Sequence, residues 1–267
     1  MIRSHVKASR IWSPALDIFK YLLLVAAITW LMANSTRQLG YHWQWYRVPQ
    51  YLYSITDGDL VGGPLIAGLL VTLRITGISL VLAFVFGLVS ALLRLSNSLV
   101  GKVVARGYLE VIRNTPLLVQ LFFIYFVLSP VFNINAFTSA VLALSLFEGA
   151  YASEIFRAGI VSIHQGQWEA AFSIGLNVGQ TYRLVILPQA IRRIIPPLTS
   201  QAVSLIKDSA LVSTIAIYDL TMRGQAIIAE TFLVFEIWFT VAALYLVITL
   251  VLSLTVFYLE KKFKVEH

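Results

Sequence analysis

The sequence predicts an all-α integral membrane protein with about six transmembrane helices and both termini in the cytoplasm. Three observations carry that prediction. Of the 267 residues, 58% are hydrophobic and 12% charged, with a mean hydropathy of +0.81, whereas a soluble domain is close to half apolar and about a quarter charged. Several apolar runs each approach the ~20 residues that a helix needs to cross the hydrocarbon core. The third observation is where the positive charge falls. With the N-terminus inside, the inner segments hold Arg3, Lys7, Arg10, Arg94, Lys102, Arg106, Arg157, Arg183, Arg192, Arg193, Lys261, Lys262 and Lys264, against Arg37, Arg47 and Arg223 outside. That asymmetry is the positive-inside pattern. It accounts for the net charge of +7 by orientation and removes the main support for nucleic-acid binding. Cysteine is absent, which excludes disulfides and thiolate metal sites.

The elements follow in order. Residues 1 to 15 are basic and precede a first span, about Ile18 to Ala33, read as a retained helix because no small-x-small cleavage site follows it. Residues 34 to 63 form an outer segment rich in rings, among them Trp43, Trp45, Tyr46, Tyr51 and Tyr53, which favour the membrane–water boundary. The second span, about Leu65 to Leu93, opens on Pro64, whose missing donor costs nothing at a helix start. The third runs about Tyr108 to Ser129 and the fourth about Ala136 to Phe156. The fifth, about Ile191 to Ile215, is interrupted by Pro196, Pro197, Lys207 and Asp208. An amphipathic piece from Ile217 to Glu230 precedes the sixth span, about Phe235 to Leu259. Three regions result: 1–63, a core at 64–260 with a cytoplasmic loop near 160–190, and a basic tail at 261–267.

One polar stretch interrupts this sequence. Gly166-Gln167-Trp168-Glu169-Ala170-Ala171-Phe172-Ser173-Ile174-Gly175, running on to Leu187-Pro188-Gln189-Ala190, reads as helix, glycine turn, helix. Trp168, Ala171, Phe172 and Leu176 recur at three- and four-residue steps and so share a face. Gly175 and Gly179 break that period. Periodicity alone leaves two readings open: an interfacial amphipathic segment without a partner, and a knob that fits a groove on another protein.

Glu169-Ala170-Ala171, then Gly175, then Leu187-Pro188 resemble the "EAA" signature of ABC importer permeases that work with a binding protein. Arg113 to Leu121, Gly149 to Ile160 and Leu205 to Leu211 look like the polar amino acid branch of that family. The resemblance covers roughly Ala67 to Glu260. It implies a type I importer permease fold in the bacterial inner membrane. Trp168, Glu169, Ala170, Ala171, Phe172, Gly175, Leu187 and Pro188 would then dock on a separate ATPase dimer. A second permease copy or a homologous permease would complete the pathway, and an extracytoplasmic binding protein would deliver a polar amino acid.

Ionisable groups inside spans cost about 2.5 kcal/mol or more unless they face protein or water. Arg113 lies beside Asn114, Thr115 and Pro116. Pro116 opens the helix, so freed carbonyls and the Thr115 hydroxyl can line a polar cavity. The Arg113 fork suits a carboxylate; snorkelling to headgroups is the other reading. Lys207 and Asp208 are adjacent and point to different faces. Asp208 can accept an ammonium group, or form a structural ion pair between helices. The resemblance implies that Arg113 and Asp208 meet the two ends of an amino acid's α-carbon; Asn114, where many relatives have a small residue, leaves the cavity shape open. Glu148 can touch the substrate or Lys207. Glu154 and Arg157 are three apart and predict a structural pair.

The absences narrow function. A phosphate-cradling loop requires Gly where Ser96 stands and Ser or Thr where Val103 stands. The histidines His5, His42, His164 and His267 have no metal spacing, and no nucleophile motif is present. The chain is expected to be no enzyme, to hold no cofactor or metal, and to draw its energy from another subunit. The alternative class is a self-sufficient secondary transporter or channel that uses Lys207, Asp208 and Glu148.

Overall fold

The computed structural model describes residues 14–38, 40–56 and 59–263. Of the predicted cytoplasmic tails, residues 1–13, with Arg3, Lys7 and Arg10, and 264–267, with Lys264, lie outside the described residues. The chain divides into two compact units, Met1–Gln44 and Trp45–His267.

In the first unit, α1 runs Pro14–Gln38, longer at both ends than the predicted span. Tyr21, Leu22, Leu23, Leu24 and Val25 are all exposed. Five consecutive apolar residues cover the whole circumference of a helix, which suits a segment surrounded by lipid.

The second unit opens with structure that the sequence did not announce. A short helix α2, Pro49–Leu52, leads into strand β1, Tyr53–Thr56, paired antiparallel with β2, Asp59–Gly62, so that Tyr53 stands opposite Gly62. The helical core follows: α3 Pro64–Leu95, α4 Leu99–Arg113, α5 Leu117–Phe132, α6 Ala136–Val161, α7 Gln165–Ser173, α8 Val178–Thr181, α9 Leu187–Asp208, α10 Leu220–Thr231 and α11 Val234–Phe263. Among the described residues three helices are long and apolar enough to cross a membrane, or four when the bent pair α4–α5 counts as one span.

Small residues set the central packing. A Cβ on Gly87 of α3 would lie 2.7 Å from the Ala152 Cβ and 3.0 Å from the Gly149 carbonyl of α6. The two backbones therefore approach closely, as membrane helices do where side chains are small. The buried apolar side chains form three groups. One surrounds Ile75, Leu121, Leu144, Leu205 and Val212. A second, at the predicted cytoplasmic end, gathers Ile160, Ile163, Ile186, Ala190 and Ile194. The third joins Leu65 to Leu220, Leu233 and Ile237.

Two spans depart from expectation. The predicted third span is two helices, α4 and α5, bent by 106°, because Pro116 is the N-cap of α5 in an extended conformation and cannot continue α4. Arg113 is thus the last residue of α4 and not a residue inside a straight span. In the fifth span, by contrast, Pro196 and Pro197 lie inside α9 without ending it. The helix closes at Asp208, where Ser209–Ile215 tighten to a 3-10 turn.

Candidate functional site

The polar stretch forms a stiff elbow. α7 is capped by His164, whose Nδ1 accepts from Gly166 N at 3.0 Å. At its other end the Leu176 amide donates to the Ala171 carbonyl (3.1 Å) and the Gly175 amide to the Phe172 carbonyl (3.0 Å). Gly175 sits at φ +82°. This is the six-to-one, five-to-two bond pattern of a Schellman motif, which requires a left-handed residue at that position. α8 then opens at Val178 with a capping box: Gln180 N donates to Asn177 Oδ1 (2.9 Å) and Asn177 N to Gln180 Oε1 (3.0 Å).

The elbow is seated on the bundle. Trp168 meets Tyr182 edge to face, with centroids 4.9 Å apart. Gln189 Nε2 donates to Gln167 Oε1 at 3.2 Å. Arg193 donates to the Ser162 carbonyl at 2.6 Å. The predicted common face is only partly inward: Ala171 is buried and Trp168 half-buried, while Phe172 is 47% exposed. α7 ends at Ser173, so Leu176, which is half-buried, follows the turn and not the helical period. Phe172, Ile174, Val178 and Leu184 present an outward apolar knob, with Glu169, Ala170 and Pro188 also exposed beside it.

On α6, Glu154 holds two arginines. Its Oε2 accepts from Arg94 at 2.6 Å and its Oε1 from Arg157 at 2.5 Å. The predicted pair is therefore a triad, and Arg94 ties α3 to α6.

The interior polar residues gather around one turn of α6. Glu148 is 1% exposed, and its Oε2 accepts from the Gln201 amide of α9. The Asp208 carboxyl lies alongside. Three residues further along α6, the Tyr151 ring carries the Arg113 guanidinium 5.7 Å from its centroid. Residues three apart share a helix face, so α6 presents a buried carboxyl toward α9 and a stacked cation toward α4 from neighbouring positions. Arg113 is exposed and lines a cavity of about 300 Å³ with Leu109, Glu110, Asn114 and Tyr151. Asn114 is turned back onto its own helix, donating to the Glu110 carbonyl (2.7 Å) and carboxylate (3.0 Å).

Gln120, which the sequence reading did not single out, fastens the α4–α5 bend. Its Nε2 donates to the Ile112 carbonyl (2.8 Å), the Thr115 carbonyl (3.0 Å) and the Thr115 hydroxyl (2.8 Å). Groups freed by Pro116 are thus taken internally. Gln201 was likewise missed, because α9 carries polar side chains along its whole length and nothing in the sequence sets this one apart.

The comparisons with known proteins come down on one side. A family profile described as "Binding-protein-dependent transport system inner membrane component" matches residues 83–265. The chain belongs to that family. This permease is 44% identical over 204 residues to the glutamine transport system permease protein GlnP of Escherichia coli (strain K12), covering 75% of this chain and 93% of that one. It is 40% identical over 227 residues to the L-cystine transport system permease protein TcyB of Bacillus subtilis (strain 168), covering 84% and 93%. Among solved structures it resembles an amino acid ABC transporter crystallised with histidines, with a TM-score of 0.71 and 41% identity over 74% of this chain and 94% of that one. The MetNI methionine transporter shares the fold, with a TM-score of 0.62 at 20% identity. The protein is the permease subunit of an amino acid ABC importer of the inner membrane. It is not an enzyme; the ATPase is a separate subunit, and the family implies ATPase and binding-protein partners.

Proposed function

We propose that this permease carries a polar amino acid, recognised inside the bundle by its α-carboxylate and α-ammonium groups. Arg113 takes the carboxylate and Asp208 the ammonium. Asn114 and Thr115 shape the α4 end of the site, and Glu148 and Lys207 set its charge on the α9 side. The observation that carries this reading is the single turn of α6 from which Glu148 and Tyr151 reach α9 and α4. It brings an acidic and a cationic group to one region from helices that are separate in sequence. Two permeases, identical or homologous, frame the pathway; two ATPase subunits seat on the elbows, and a binding protein delivers the amino acid from outside.

The test is Asp208→Asn, which keeps the shape and removes the charge. A hydrogen bond to a charged group contributes about 1.5–3 kcal/mol, so uptake by the assembled complex in proteoliposomes should fall roughly ten- to a hundredfold at subsaturating amino acid. Unchanged uptake would remove Asp208 from the site.

A further inference from the structure

The turn between α3 and α4, at the predicted cytoplasmic end of both, closes one end of a groove. There the two helices touch: a Cβ on Gly101 would lie 3.1 Å from Leu93 Cδ2. Seven residues further along α4, about 10 Å, the Tyr108 hydroxyl donates to the Leu146 carbonyl at 2.6 Å and ties α4 to α6. Between these two ties lies a cavity of about 360 Å³, walled by Val85, Val89 and Leu93 of α3, Val104 and Tyr108 of α4, and Leu146 of α6. Its size is that of a small-molecule site, and its walls are apolar.

Two polar features accompany the groove. Ser90, also in its wall, is buried, and its hydroxyl has no hydrogen-bond partner. Thr72 and Thr76 of α3 and Ser145 of α6, by contrast, donate to a carbonyl one turn back. A buried hydroxyl without a partner is costly, so an acceptor brought into the groove is favoured. The second feature is charge. From Ala91 to Leu109 the sequence holds Arg94, Lys102 and Arg106 and no acid. Glu154 neutralises Arg94, but among the described residues neither Lys102 nor Arg106 enters an ion pair. Lys102 precedes the wall residue Ala105 by three positions and is its neighbour on the α4 surface. A cation without a counter-charge therefore stands at the predicted cytoplasmic end of the groove, with Arg106 one turn behind it.

We infer that this groove binds an anionic phospholipid of the cytoplasmic leaflet. The chemistry along the groove follows the order of that molecule: Lys102 and Arg106 for the phosphate, the Ser90 hydroxyl for an ester carbonyl, then an apolar slot for an acyl chain. Basic pockets between transmembrane helices on the cytoplasmic side recognise such headgroups, and each CH₂ buried adds to the binding. A helix of a second permease is a poorer occupant. Its backbone is already hydrogen-bonded within itself and offers Ser90 no free carbonyl. The site is separate from the amino acid site proposed above and does not depend on it.

The experiment uses the assembled importer, permeases with their ATPase subunits, in phosphatidylcholine nanodiscs. A trace of phosphatidylglycerol with a photoreactive diazirine in its acyl chain is the probe. Irradiation and peptide mapping should place adducts at residues 85–93 and 104–108, and excess unlabelled phosphatidylglycerol should displace them. The paired change Lys102→Gln and Arg106→Gln touches no ion pair and should lower this labelling on the order of tenfold. Val104→Trp, which grows a ring into the slot from a side chain exposed at its edge, should lower it as well. A groove without adducts overturns the site, as it would be if a second permease filled it. Adducts that the paired change leaves undiminished overturn it too, because they mark ordinary surrounding lipid. Competition in the parent complex needs no variant: probe displaced no better by phosphatidylglycerol than by phosphatidylcholine overturns the proposal by itself.

Discussion

Asp219 shows what one buried carboxyl does outside the spans. It is fully buried and caps α10, accepting from Met222 N at 2.8 Å, with the Tyr245 hydroxyl 3.5 Å away. Burial pushes its carboxyl up to about 6, from near 4 in an unfolded chain. The sign is the reverse of the usual acidic case. Where the folded pKa is the higher, the folded state holds the proton longer, so this group's contribution to stability falls as pH rises from about 4 to 6 and the full penalty stands above 6. Asp219→Asn keeps an acceptor for the cap and removes the titration. The variant complex should unfold at a higher temperature than the parent at pH 7.5, and the gap should close by pH 4. Thermal unfolding at several pH values reads it; a gap independent of pH would mean that burial does not shift the Asp219 carboxyl between the folded and unfolded chain. Single residues were also where sequence reading fell short. Glu154–Arg157 was legible because three-residue spacing fixes a shared face. Arg94, 60 positions away, was not, since only the close α3–α6 packing brings it there.

At the scale of elements, hydropathy located α3, α6 and α11 to within a few residues, because a long apolar run has few alternatives in a bilayer. It failed where polar backbone partners decide the path. The α4–α5 bend depends on Gln120 occupying three acceptors, and no periodicity announces that. The β1–β2 hairpin was also missed, in a segment whose rings suggested only an interface. The elbow, by contrast, was legible, because its glycine and its caps are local chemistry. That makes Gly175 a sharp test. A Cβ there meets nothing within 4 Å, so Gly175→Val costs no packing and acts through φ alone. The left-handed conformation penalises an ordinary residue by about 1–2 kcal/mol and a β-branched one more heavily. The variant should insert and assemble, yet ATP hydrolysis should no longer drive normal uptake, because the turn that fixes α7 against α8 is loosened. Normal amino acid uptake per ATP hydrolysed by the purified Gly175→Val complex would disprove a coupling role for the rigid turn.

For the whole molecule, the question is how a chain without a nucleotide site receives work. The family assigns ATP hydrolysis to a separate subunit, so force must enter through a surface. The docking surface proposed above has to be both rigid and apolar. The elbow is both: Phe172, Ile174, Val178 and Leu184 are 47, 76, 60 and 61% exposed, on a turn pinned by the edge-to-face contact of Trp168 with Tyr182 and by Arg193. Apolar side chains exposed to water mark an interaction site, and the docking on the ATPase proposed above needs such a surface on a stiff support. Ile174 is the most exposed of these four side chains and has little burial to lose. Ile174→Asp should therefore leave the permease's own thermal unfolding within about 0.5 kcal/mol of the parent, as surface changes do. An apolar side chain fully buried against a partner is worth about 1.5–3 kcal/mol, and an unpaired carboxylate in its place adds a desolvation cost. Binding to the ATPase should accordingly weaken at least tenfold in a titration of purified subunits. ATPase affinity unchanged by Ile174→Asp would place the docking surface elsewhere on the cytoplasmic side.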